Sequence, residues 1–459
     1  MMNRALCLWI CAIVASFAVS ACDGTSGPTP NNGPSQAQPA SQSLPSPIQH
    51  IVIVVQENRT FNDFFATFPG ADGTVTGTIK KDAACNILKT ETIPLTPSPL
   101  VTTRDFNHSF PEFATARDNG KVDGFDKIKA STSPECIAPY QYTDPSQIQP
   151  YWDMAEQYTL AEHMFTTQGD GSFTAHQDLI AGGTVVPNTD KALVDFPSCG
   201  KCFWGCDAPP GTKTSLITID GNWIKWVNKG PLPCMTYETM STLLDNQNIS
   251  WKYYVPPFSQ HYGKILSAFD AIRAVRFSPE WQKVVFPQTM VLNDVADGQL
   301  PDVSWVIPDE PDSDHPGSGT DDGPSWVASI VNAIGESSYW NSTAIIIVWD
   351  DWGGLYDNLN PPQLGYGGLG FRVPAIIVSP YARAGYISPT QYEFGSILKY
   401  MENNWNLGSL GTSDQRATSI IDCFNYYQTP ITFTPIGSRH SESYFLHKKP
   451  SYLPPDTDF

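Results

Sequence analysis

The chain has 459 residues, of which 41% are hydrophobic and 12% aromatic, so it can bury a large core and is neither wholly disordered nor fibrous. Lys and Arg number 27 against 46 Asp and Glu, a formal charge of −19, and no nucleic-acid partner is expected of so acidic a surface. The 40 Pro and 34 Gly point to a loop-rich body rather than a helical bundle.

Residues 1–22 read as an export signal. Arg4 supplies a positive start, and Ala5 to Val19 is an apolar run too short for a comfortable membrane span. Val19-Ser20-Ala21-Cys22 resembles the lipobox of bacterial lipoproteins, whose cysteine is lipidated. The alternative is an ordinary signal peptide with an incidental cysteine. Residues 23–47 are dominated by Pro, Ser, Gly, Gln, Asn and Thr, cannot bury enough apolar surface to fold, and read as a flexible tether. An exported protein is therefore expected, either held at the cell envelope by a lipid or secreted or periplasmic. The folded region runs from 48 to 459.

Ile51 to Val55 is a β-branched run ending at Gln56-Glu57-Asn58, which predicts a buried strand. Residues 184–234, rich in Pro, Gly, Cys and Trp, read as an irregular excursion from the core. Met235 to Leu244 looks helical and Ile249 to Val255 looks like a strand. Pro324 to Ser337 carries Trp326, Val327, Ile330, Val331 and Ile334 as one stripe at helical spacing. Ser342 to Trp349 and Val373 to Ser379 are further strands, and Phe394 to Trp405 is a further helix. Strands apolar on both faces, alternating with helices, imply an α/β protein with a mostly parallel sheet. Cys85, Cys136, Cys199, Cys202, Cys206, Cys234 and Cys423 follow the signal. The spacing of Cys199, Cys202, Cys206 and Cys234 allows a zinc site, but an oxidising compartment favours disulfides. Their pairing is not deducible from sequence.

Two predicted strands end in acids: Glu57 with Asn58, and Asp350 with Asp351. Sites in open α/β sheets form at such strand ends. Three carboxylates and an amide gathered there would repel one another without a cation, and oxygen donors suit a divalent metal. Taken alone, each pair reads equally as strand-end caps or solvated turn residues.

The surrounding residues are more specific. Residues 51–62 (IVIVVQENRTFN) resemble the opening motif of the bacterial phosphoesterase family, which includes phospholipases C and acid phosphatases. Gly171 to His176 (GSFTAH) followed by Leu179 to Gly182 resembles its nucleophile segment. Asp314-His315-Pro316 resembles its histidine motif, and Trp349 to Asp357 with Pro361-Pro362 its paired-acid motif. The motifs occur in family order across about residues 48–405. The resemblance implies an alkaline-phosphatase-like α/β fold, with a central mostly parallel sheet flanked by helices, and one divalent or transition metal ion. It implies metal ligands at Glu57, Asn58, Ser172, Asp350 and Asp351, with Ser172 as the nucleophile.

A serine hydroxyl is a weak nucleophile that metal coordination activates, and a helix N-terminus after Ser172 would favour phosphate. Ser172 also reads as a plain helix N-cap, and Thr174 is the rival nucleophile. His108 and His315 are candidate proton donors or phosphoryl contacts, and either also reads as an ordinary loop histidine. His176 reads as a residue that orients its own loop. Tyr392, Asn358 and Asp170 depart from residues common in relatives, which puts substrate contacts rather than ligands in doubt. Only about 50 residues follow Trp405, where haemolytic phospholipases C carry a large extension. The expected function is metal-dependent hydrolysis of a phosphate-ester substrate, acid-phosphatase-like, with phospholipase C chemistry or an inactive binding scaffold as the alternatives.

Overall fold

The five residues Ile51 to Val55 form the middle of β1 (His50–Gln56), and none exposes any surface. In the computed structural model, which describes residues 46–128, 136–195, 205–224, 230–257, 266–449 and 451, this strand is central in an eight-stranded sheet. The other strands are β2 (Thr159–Ala161), β3 (Trp251–Tyr254), β4 (Val284–Val285), β5 (Val303–Val306), β6 (Thr343–Trp349), β7 (Ala375–Val378) and β8 (Tyr386–Ser388). Their spatial order is β4-β3-β5-β1-β6-β7-β2-β8. Because β1 and β6 are covered on both faces, each buried Val or Ile contributes roughly 1.5–3 kcal/mol, and this anchors the polar strand ends beyond.

β1 pairs in parallel with β5 on one side and β6 on the other. The register sets Gln56 opposite Trp349, and the Asp350 amide donates to the Gln56 carbonyl at 2.9 Å, so the two acid pairs leave the sheet side by side. The third predicted strand departs from the parallel expectation. β7 is antiparallel to both β6 and β2, while the remaining pairings of this sheet are parallel. An apolar run reports burial on two faces but carries no direction. The mixed α/β architecture with a mostly parallel sheet flanked by helices is otherwise the one expected.

The helices used below are α1 (Phe61–Phe65), α2 (Phe110–Arg117), α3 (Gln149–Gln157), α4 (Ser172–Ala181), α5 (Met240–Asn246), α6 (Gly323–Gly335) and α7 (Phe394–Trp405). The stripe predicted for α6 is wholly buried, and the helix packs on α3 and β6. α5 begins five residues later than the pattern suggested. Met235 instead forms a bridge beside Ile272, donating its amide to the Ala271 carbonyl and accepting from the Arg273 amide. A non-local backbone pairing thus overrides the local helical pattern.

The excursion contains a small antiparallel sheet of Lys191–Val194, Ser215–Thr218 and Trp223–Ile224. Disulfides join Cys85 to Cys136 and Cys206 to Cys234, which excludes those two from a zinc site. Cys423 is a buried thiol, and burial pushes its pKa up to about 12. Cys199, Cys202, the signal at 1–22 and the tether as far as residue 45 lie outside the described residues. Among the described residues, no helix is long and apolar enough to cross a membrane.

Candidate active site

Glu57 and Asn58 follow β1 directly, and Asp350 and Asp351 follow β6; all four side chains are completely buried. Asn58 adopts a left-handed backbone, φ 57°, which asparagine tolerates better than most residues. This turn lets its amide donate to Asp350 Oδ1 at 2.9 Å, an oxygen that also accepts from the Asp351 amide at 2.7 Å. Gly353, φ 56°, donates to Asp351 Oδ1 at 2.8 Å, and a Cβ there would lie 2.2 Å from the Asn58 carbonyl oxygen. The two acid turns therefore interlock through backbone, and only glycine fits at 353.

α4 brings the candidate nucleophile to them. Gly171 is its N-cap and Ser172 its first residue, so the expectation that Ser172 acts as the cap is not met; its hydroxyl is used elsewhere. Ser172 Oγ lies 3.0 Å from Asp351 Oδ2 and 3.2 Å from Asn58 Oδ1. The carboxylate is the nearer acceptor, so the hydroxyl proton points at Asp351. Thr174, the rival, faces away and donates to the Asp195 carbonyl at 3.2 Å.

His108 enters from the loop before α2. Its Nδ1 lies 2.7 Å from the Phe106 carbonyl, an acceptor only, so Nδ1 carries the proton. Nε2 then accepts from Asn58 Nδ2 at 3.3 Å and lies 3.7 Å from Asp351 Oδ2. His315 lies in the loop after β5, with Nδ1 bonded at 2.6 Å to its neighbour's Pro316 carbonyl. That bond fixes the ring but does not place it on the acid cluster.

His176 is the residue that sequence reasoning undervalued. It does not orient its own loop. It stands four residues after Ser172 on α4, hence on the same helix face, and its Nε2 lies 3.1 Å from Glu57 Oε1 and 3.6 Å from Asp350 Oδ2. Complete burial drives its pKa down to about 4 against the opposing pull of Asp350, so the ring is neutral at neutral pH. The i, i+4 spacing was the signal that could have found it.

The donors fit a metal ion. Glu57, His176 and Asp350 each offer an atom within 4.8 Å of the others, and Asp350 Oδ2 accepts no hydrogen bond although fully buried. Carboxylate oxygens with one imidazole nitrogen suit a borderline divalent or transition ion such as Mn, Fe or Zn. Asp170 is completely buried beside Asp178, Asp195 and Asp351, and burial followed by their charges pushes its pKa well above the carboxylate range.

A model of the Phosphoesterase family matches residues 48–408. The non-hemolytic phospholipase C of Burkholderia pseudomallei is 23% identical over 416 residues, covering 78% of this chain and 55% of the relative. The hemolytic phospholipase C of Pseudomonas aeruginosa is 24% identical, with 78% and 53% covered, so the chain spans about half the length of these two relatives. Phospholipase C B of Mycobacterium tuberculosis is 24% identical over 466 residues, covering 89% of this chain and 83% of the relative. Among solved structures, a protein in the alkaline phosphatase superfamily from Vibrio parahaemolyticus overlaps with a TM-score of 0.37 at 11% identity, covering 83% of this chain and 75% of that one.

Proposed function

Because the chain belongs to the Phosphoesterase family, we propose that it hydrolyses phosphate esters with Ser172 as nucleophile beside one divalent or transition metal ion. The observation that carries this reading is the convergence of Ser172 Oγ, Asp351 and Asn58 at the ends of β1 and β6, with Glu57, Asp350 and His176 immediately beside them. Glu57, Asn58, Ser172, Asp350 and Asp351 would hold the ion, with His176 against two of them. When bound, the ion would supply positive charge for the phosphoryl oxygens and favour the ionised serine.

The chain's own groups do the rest. Ser172 gives its proton to Asp351 Oδ2, its Oγ bonds to phosphorus, and the bond from phosphorus to the leaving oxygen breaks. His108, held through Nδ1, presents its unprotonated Nε2 3.7 Å from Asp351 Oδ2 and is the candidate to take the serine proton from Asp351 and pass it to that leaving oxygen; His315 is the alternative. Water then hydrolyses the phosphoserine and restores the hydroxyl. The relatives' names favour a phospholipase C type of substrate, a phosphodiester carrying a lipid headgroup. Acid-phosphatase-like monoester hydrolysis is the second reading, favoured by serine at the nucleophile position. The test is release of nitrophenol from nitrophenyl phosphate and from nitrophenylphosphorylcholine, with added Mn2+ or Zn2+ and with chelator. Hydrolysis that chelator abolishes is expected. No turnover of either ester under any metal would overturn the reading in favour of a binding protein on this scaffold.

Export belongs to the same proposal. The lipobox-like residues 19–22 precede a tether, and the two disulfides suit an oxidising compartment. Replacing Cys22 with Ser is expected to move the protein from the membrane fraction to the soluble one with activity retained. A wild-type protein already wholly soluble would show that Cys22 is not lipidated.

A further inference from the structure

The acid turns rest on a second, buried network whose links through Gln56, Arg59 and Trp349 each involve a residue adjoining a site residue. Asp314 is its centre. Its amide donates to Gln56 Oε1 at 3.0 Å, and Gln56 precedes Glu57. Its carbonyl accepts from Arg59 Nε at 2.7 Å, and Arg59 follows Asn58. Its Oδ2 accepts from Trp349 Nε1 at 3.0 Å, and Trp349 precedes Asp350. His315 is its own neighbour. Tyr151, on α3, donates a further bond to Oδ2 at 2.7 Å.

Gln56, Arg59 and Trp349 expose no surface, and Asp314 exposes 2%. Arg59 is fixed independently by Asp63 at 3.1 Å and by the Leu100 carbonyl at 3.0 Å. A Cβ on Gly323 would lie 2.2 Å from Asp314 Oδ1, so the start of α6 needs glycine there to accommodate that carboxylate.

We infer that Asp314 is the positioning residue that holds the two acid turns and the His315 loop in one register, acting on the metal acids through Gln56, Arg59 and Trp349 rather than by touching substrate. The turn after β1, the turn after β6 and the His315 loop meet at this one carboxylate and its peptide, and the links through Gln56, Arg59 and Trp349 each lie a single peptide unit, about 3.8 Å between Cα atoms, from a candidate ligand. Displacements on the order of 1 Å at such a point are costly for ligand geometry and for attack alike. The inference rests on the metal-site reading above.

The test compares full-length wild type, Asp314→Ala and Asp314→Asn by titration with Mn2+ alone, by thermal melting and by kcat and KM. Removing a direct hydrogen-bond partner of a metal ligand weakens metal binding by about 10–100-fold; the Asp314 carboxylate acts one residue farther out, so the low end of that range applies. Asp314→Ala is expected to lie in that range, with kcat reduced and KM within about threefold of wild type. Asp314→Asn retains an oxygen for Trp349 and Tyr151 and is expected to recover most of the Mn2+ affinity. A folded Asp314→Ala protein that binds Mn2+ as tightly as wild type overturns the inference, as does an Asn variant no better than Ala.

Should Asp314→Ala not fold, Trp349→Phe decides, because it removes the indole N–H from Asp314. Weakened Mn2+ binding is expected there, and unchanged affinity overturns the inference. Wild-type protein that binds neither Mn2+ nor Zn2+ and hydrolyses no phosphoester removes the metal-site reading and this inference together. Unchanged variants beside an active, metal-binding wild type remove only the inference.

Discussion

Ser172→Ala is expected to lower phosphoester turnover by roughly three to six orders of magnitude, the range seen when a nucleophile is deleted from a site that otherwise remains intact. The fold should survive. Ser172 contributes no cap to α4, since Gly171 occupies that position without a side-chain bond. Among the described residues its hydroxyl hydrogen-bonds to Asn58 and Asp351, both of which keep backbone bonds that hold their turns. Activity should not fall to zero, because a water in the serine's place can still attack slowly. Quenched turnover of wild type followed by peptide mapping should find phosphate on the peptide containing Ser172. Near-normal turnover in the variant, with no phosphopeptide from wild type, would replace the covalent mechanism with direct attack by water. Phosphate on Thr174 is not expected, because that hydroxyl is turned to the Asp195 carbonyl.

Asp350→Asn is the second large effect, and it separates ligand loss from fold damage. Asp350 Oδ1 holds the backbone of Asn58 and Asp351, and an amide oxygen can do the same. The new NH2 then falls where Oδ2 faces His176, removing both a charge and a metal-binding oxygen. Metal content and activity should drop together, by tenfold or more in metal affinity. The stability change has a definite sign. Without metal the variant should be at least as stable as wild type, because one of three carboxylates crowded at the strand ends is gone. Added metal should stabilise wild type, by about 2.7 kcal/mol at a hundredfold excess over Kd, and the variant much less. Melting curves with Mn2+ and with chelator check this. Equal metal content and full activity in Asp350→Asn would remove Asp350 from the site. Asp351→Asn should lose activity as well, since its new amide donor would oppose the Ser172 hydroxyl instead of accepting its proton.

Much of this was legible in linear form. The β-branched run before Glu57 and the one before Asp350 each specify a strand by local chemistry alone: two apolar faces, then abrupt polarity. The α6 and α7 stripes did the same for helices, and the observed α7 spans Phe394 to Trp405 as read. The resemblance of the motifs to the phosphoesterase family implied Glu57, Asn58, Asp350, Asp351 and Ser172 as one constellation, whereas residue type alone offered two acid pairs at strand ends.

What the chain could not disclose depended on partners distant in sequence. The direction of β7 appears only in its antiparallel pairing with β6 and β2, and burial pattern has no sign for direction. The start of α5 is decided by the bridge between Met235 and Ile272. His176 was readable as a neighbour of Ser172 on one helix face, but its approach to Glu57 spans 119 positions of chain. The Asp314 network joins positions up to 258 residues apart. Local sequence dictates backbone form because propensity and burial act within a few residues. It does not dictate which side chains converge. That is settled when β1 takes its place between β5 and β6 and the packed helices fix α4 against the strand ends, since only then do the hydrogen bonds that define the site have both donor and acceptor.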